Sequence, residues 1–320
     1  MNNNNGWIRF VSTTALSAAL LMTAIPAAAQ DKWYPSRWGP EDEIGNANLL
    51  TPERALAASK LVTTGKVYSL GITVGPDTPA YPPRGCSITV VQPGQQAGGV
   101  LGHSHTNYND DILSCWVGIG TQLDGLGHIG IDNVYYNGNH AKDFADISGL
   151  KKLSVDKVPP MVTRGVLLDM AAYLNTDVVK EGTAFNRAEI DGAAKKQGVE
   201  IREGDVVIFH TGWLSLIDKD PKRFASVEPG LGKEGAQYLA SKGVVAIGAD
   251  NWAVEVLPAE KDVGVFEIHQ IALARNGIYL LENVNTAELA KDKAYEFMFV
   301  LGHNKYKGAV QSMINPVAIR

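Results

Sequence analysis

The chain has 320 residues, 45% of them hydrophobic and 20% charged, and a formal net charge of −5. An acidic balance without a basic run excludes a nucleic-acid surface as its organising feature. The composition supports a sizeable globular core rather than a disordered or fibrous chain.

Arg9 is the only charged residue before Asp31. The apolar run from Thr13 to Ile25, followed by Pro26-Ala27-Ala28-Ala29, reads as a secretory signal peptide removed after Ala29. The run is too short and wrongly flanked for a stable membrane anchor, which is the other reading. Residues 30–320, about 290 in all, then form a single domain with a periplasmic or secreted destination.

Trp33 to Asn48 is rich in Trp, Pro and Gly and is expected to be irregular. Thr51-Pro52-Glu53 supplies an N-cap, a proline at the first helical position and an acidic first turn. The helix runs to about Leu61, with Ala55, Leu56, Ala58 and Leu61 inward. Val67 to Val74 and Ser87 to Val91 alternate as strands, separated by a loop with Pro79, Pro82 and Pro83. Cys86 and Cys115 are the only cysteines. Their apolar surroundings favour two buried thiols, and pairing is the alternative for an exported chain. His103 and His105 lie in a polar stretch, either as imidazoles that join a site or as a solvated loop.

Ile112 to Ile119 is an apolar strand that carries the next stretch, Gly118-Ile119-Gly120-Thr121-Gln122-Leu123-Asp124-Gly125-Leu126-Gly127-His128, to the surface. Period two places Gln122 and Asp124 on one face, and His128 continues the register. An amide oxygen, a carboxylate and an imidazole together suit zinc or manganese. Asp132 to Asn139 reads as a loop at the mouth of such a site.

Arg164 to Ala172 is a buried strand ending near Asp169. Asn186 with Glu189 forms a capping box for a helix that stops at Gly198. Val206 to His210 is a core strand, with His210 and Trp213 at its end as candidate pocket lining. A helix from Lys233, a strand from Val244 to Gly248 and then Asp250-Asn251-Trp252 continue an α/β alternation. Phe266-Glu267-Ile268-His269 precedes a helical Gln270 to Arg275, and Gly277 leads into a strand ending at Glu282-Asn283. Tyr295 to Leu301 is a further strand.

The Gly118–His128 stretch resembles the signature of the cyclase family of metal-dependent hydrolases, which includes bacterial kynurenine formamidases and isatin hydrolases. That pattern reads His-x-Gly-Thr-His-x-Asp-x-Pro-x-His. Gly120, Thr121, Asp124 and His128 match, while Gly118, Gln122 and Leu126 stand where the pattern has His, His and Pro. His269, Gly277, Ile278, Glu282 and Asn283 resemble its second segment. The resemblance implies a swivelling β/β/α fold with twisted mixed sheets flanked by helices, assembled as a homo-oligomer. It implies one divalent metal ion, zinc or manganese, held by Gln122, Asp124, His269 and Glu282. His128 is then the general base, and Glu282 shares the proton traffic. The implied reaction is hydrolysis of a carbon–nitrogen or carbon–oxygen bond in a small amide, lactam or lactone. Trp116, Trp213 and Trp252 suit a flat or cyclic substrate, or core packing. The alternatives are a metal-dependent lyase or cyclisation reaction and a family member that binds a ligand without turning it over.

Overall fold

The computed structural model describes residues 32–92 and 99–320. The signal peptide expected over residues 1–29 lies outside them. In chain order the strands that matter are β1 (Val67–Ser69), β2 (Cys86–Val91), β3 (Asp110–Cys115), β4 (Gln122–Asp124) and β5 (Met161–Asp169). They continue as β6 (Val206–His210), β7 (Ala246–Ala249), β8 (Tyr279–Glu282), β9 (Glu296–Leu301), β10 (Gln311–Met313) and β11 (Val317–Ile319).

Among the described residues, nine of these strands form one mixed sheet in the order β1-β11-β9-β5-β6-β7-β8-β4-β10. The four middle strands, β5 to β8, are parallel. Both flanks are antiparallel. β10 and β11 are separated only by Ile314-Asn315-Pro316, yet they sit at opposite ends of this order. A connection that short cannot cross a flat nine-stranded sheet, so the sheet curls until its two edges approach.

The parallel strands read as unbroken apolar runs because both of their faces are covered. Val206 to Phe209, Val244 to Ile247 and Tyr279 to Leu281 are all fully buried. Covering them are α1 (Pro52–Ser59), α2 (Arg187–Gln197) and α3 (Lys233–Lys242). Thr51 caps α1, accepting from Arg54 N. The Asn186–Glu189 capping box starts α2, and Gly198 ends it in the left-handed conformation. The result is an α/β architecture of a mixed curled sheet flanked by helices.

Four expectations are corrected. Leu56 is 66% exposed; α1 packs on β5 through Ala58, and Leu56, two residues earlier, points away. The strand from Val67 ends at Ser69, where Leu70 N turns to bond Pro316 O. The strand expected over Ile112 to Ile119 is Asp110–Cys115, so it stops before the glycine-rich stretch. That stretch enters the buried interior of the sheet rather than the surface.

The fourth correction concerns Cys86 and Cys115, which form a disulfide. β2 and β3 pair antiparallel with these two residues directly opposite. Every residue of the two strands except Cys86, Val91 and Cys115 is exposed. An apolar run there signalled a hairpin projecting into solvent, not burial, and cross-strand pairing brought the sulfurs together.

Candidate metal centre

Sheet register builds the site. Gln122 and Asp124 share a face of β4, and β8 pairs with β4 so that Glu282 lies opposite Gln122. On the other side β10 sets Gln311 opposite Asp124. Four polar side chains therefore converge in the buried interior of the sheet, beside Leu123, Leu280 and Leu281. Gln122 Nε2 donates to Glu282 Oε2 at 2.5 Å and faces Asp124 Oδ1 at 3.4 Å. Gln311 Nε2 donates to Asp124 Oδ1 at 2.6 Å.

His269 reaches the same point from the short helix Glu267–His269, entered through Phe266 at φ 55°. Glu255 Oε2 accepts from Ile268 N at 3.1 Å and His269 N at 3.3 Å, and lies 3.1 Å from His269 Nδ1. A carboxylate can only accept, so Nδ1 carries the proton and Nε2 is aimed inward. Nε2 is 3.3 Å from Glu282 Oε1 and 3.7 Å from Asp124 Oδ2. Asp124, His269 and Glu282 each offer one atom, all within 4.8 Å of one another.

The electrostatics of this pocket call for a cation. Asp124 Oδ2 is buried and, among the described residues, has no hydrogen-bond partner. A buried carboxylate oxygen left unpaired costs several kcal/mol unless a positive charge faces it. Burial and the charge of Asp124, against the pull of His269, push the Glu282 carboxyl up to about 7. Burial works against protonation of His269, but Glu255 and Glu282 outweigh it and raise the imidazole to about 10. The donor set, one imidazole and two carboxylates, is of a kind that can hold a divalent metal ion. Gln122 presents its amide N–H₂ to the carboxylates, and turning the amide over would present Oε1 as a neutral oxygen donor.

A fully buried Glu228 lies beyond this set, accepting from Trp252 N at 3.0 Å and Ala253 N at 3.1 Å. Burial raises its carboxyl well above the usual range despite those two donors. His128 occupies the rim, with a side chain 19% exposed and Nε2 3.8 Å from Asp124 Oδ2. Burial lowers its pKa while Asp124 opposes the shift, so the imidazole is neutral and able to accept a proton.

The structure separates other candidates from this cluster. His103 and His105 are exposed in the turn between Leu101 and Thr106, whereas the cluster is buried. His210 Nδ1 is 2.7 Å from Thr286 Oγ1 and 3.3 Å from Asp250 Oδ2, a second polar group at the carboxyl ends of the parallel strands. Trp213 is fully buried and donates to Phe224 O at 3.3 Å, so it is core. Trp116 is 54% exposed. Trp252 stacks on Tyr81 with centroids 5.6 Å apart, and its buried Nε1 has no hydrogen-bond partner among the described residues.

Three residues of the site carried no signal in the sequence: Glu255, Gln311 and Arg84. Glu255 meets His269 across 14 positions, and Gln311 meets Asp124 across 187. Arg84 Nη1 donates to Gly118 O at 2.7 Å.

The Cyclase family model matches residues 68–256, more than half of the chain. His269 and Glu282 lie beyond the matched span. A solved structure described as a novel cyclase is 31% identical with a TM-score of 0.80, over 88% of this chain and 98% of its own. Isatin hydrolase A from Ralstonia solanacearum is 20% identical with a TM-score of 0.62, over 84% and 98%. A predicted metal-dependent hydrolase from Bacillus stearothermophilus is 17% identical with a TM-score of 0.53, over 80% and 98%. The last two likenesses are of fold. No curated protein sequence gives a significant match.

Proposed function

The chain belongs to the Cyclase family, and from that premise we propose that it is a metal-dependent hydrolase opening a C–N or C–O bond of a small amide, lactam or lactone. The observation that carries this reading is Asp124 Oδ2, buried without a partner between the imidazoles of His128 and His269. Asp124, His269 and Glu282 would hold one divalent ion, zinc or manganese, with Gln122 as a further donor through Oε1. Such an ion supplies Lewis acidity toward water and toward a carbonyl oxygen.

The chain's own residues do the rest. His128 Nε2 takes a proton from the attacking water, and Asp124 Oδ2 steadies the resulting imidazolium. As the C–N or C–O bond breaks, Nε2 returns that proton to the leaving nitrogen or oxygen. Glu282 is the second group in this proton traffic. Glu255 keeps His269 in one tautomer and one orientation, as carboxylates behind ligating histidines do. Isatin, acted on by the isatin hydrolase likeness, is a flat cyclic amide, and the Tyr81–Trp252 stack would suit an aromatic ring of that kind.

The same reading places the mature protein in the periplasm or outside the cell, a destination supported by the Cys86–Cys115 disulfide. A homo-oligomer is part of the proposal too, supported by the exposed Ile88, Val90 and Leu113 on one face of the hairpin. A second reading, a member that binds without hydrolysis, is favoured by one observation: the Gln122 amide donates to Glu282 where an imidazole would ligate.

Elemental analysis of the purified protein beside Asp124→Ala decides between them. About one zinc or manganese per chain, lost in the variant together with hydrolysis of lactams or lactones, is expected. Wild-type protein that takes up neither metal would leave the binding reading in possession of the site.

A further inference from the structure

A guanidinium without a carboxylate stands beside this acid-rich centre. Arg84 is half-buried, and among the described residues it has no ion-pair partner. Its Nη1 donates to Gly118 O, which leaves Nη2 and Nε free as a donor pair. A half-buried guanidinium with no carboxylate within ion-pair distance has donors left to meet one.

Its placement depends on what position 118 lacks. A Cβ on Gly118 would come within 2.9 Å of Arg84 Nη1 and 2.8 Å of Gln311 Oε1. The space that a side chain would take is filled by Arg84 and Gln311, and Gln311 Nε2 is hydrogen-bonded to Asp124 Oδ1. One amide therefore separates the guanidinium from the acid at the heart of the cluster. Two links tie the Arg84 turn to the segment before Gly118: Trp116 N donates to Gly85 O at 3.1 Å, and the disulfide joins Cys86 to Cys115.

We propose that Arg84 is the anion-binding residue of this site, taking the carboxylate of an acidic substrate or the carboxylate that ring opening creates. The identity of that anion rests on the hydrolase reading above; the site for it does not.

The test is calorimetric titration of the metal-loaded protein with benzoylformate, a small aryl carboxylate, for wild type, Arg84→Gln and Arg84→Lys. Arg84→Gln is expected to bind about 10–100-fold more weakly, the value of a charge-assisted hydrogen bond. Arg84→Lys retains part of the affinity, because a point charge cannot offer the planar fork. Metal content stays at the wild-type level in all three. Kinetics separate the two sources of carboxylate: with an acidic substrate the Arg84→Gln loss falls on KM, and with a neutral lactam or lactone it falls on kcat and on inhibition by the ring-opened acid. No binding of benzoylformate to wild type, equal binding to Arg84→Gln, or loss of metal from Arg84→Gln overturns the proposal. Arg84-dependent binding in a protein that hydrolyses no lactam or lactone would sink the hydrolase reading and leave the anion site standing.

Discussion

Strands β4 and β8 are buried at every position, whereas β2 and β3 are exposed at nearly every position. Both pairs are antiparallel and both position groups of the candidate site. Their registers are held by different forces. In β4 and β8 a one-residue slip would turn Gln122, Asp124 and Glu282 out of the site and leave leucines in their place, so packing allows one register only. In β2 and β3 neither face is covered, and a two-stranded ribbon alone is marginal in water. There a covalent link between Cys86 and Cys115 takes over the task. The groups proposed to hold a metal ion sit in the over-determined region. The guanidinium proposed to meet an anion sits on the tethered one.

The most damaging break in the buried region should be chemical rather than structural. His128→Ala is expected to lower kcat by about 10²–10⁴-fold, the usual worth of a general acid–base group. Metal content should remain that of wild type. Because burial holds this imidazole below the ordinary histidine range, the acid limb of kcat/KM should lie below that range too. The variant should lose that limb; unchanged turnover removes His128 from the chemistry.

Leu281→Ala, in the fully buried middle of β8, should cost about 2–5 kcal/mol in urea unfolding. Opening the hairpin by replacing both cysteines with serine should cost about 2–4 kcal/mol at most. Its mark should be local: faster amide exchange over β2 and β3, with β8 and the metal content unchanged. Equal exchange in both regions would show that the hairpin is held by something besides the disulfide. Glu255→Gln should lower metal affinity by about 10–100-fold, as loss of an orienting carboxylate does. Excess metal should restore its turnover. The smallest effect belongs to Val90→Ala on the exposed hairpin, within about 0.5 kcal/mol of wild type. A larger cost would mean that this face is covered in solution.

Much of the fold was legible because it follows from local rules. The Thr51 N-cap, the Asn186–Glu189 box, Gly198 as a helix stop and the core strand at Val206 to His210 are all where the sequence places them. Errors cluster where an apolar run had to be judged buried or exposed without knowing its neighbours, as at Leu56 and in β2 and β3. In the site, the common face of Gln122 and Asp124 and the placement of Glu282 at a strand end were readable from period and segment. The position of His128 at the rim rather than inside was not.

By itself, then, the sequence determined relations between residues close along the chain, because backbone geometry repeats every two or every 3.6 residues and leaves a trace in the pattern. Only the tertiary structure decided which distant groups meet. Glu255 behind His269, Gln311 on Asp124, Arg84 in the room vacated at Gly118 and the closing of the sulfurs all depend on strand register and sheet curl. Contacts made across tens or hundreds of residues have no periodic signature, so local pattern does not supply them; where the sequence placed distant groups together, as Asp124 with His269 and Glu282, family resemblance did so.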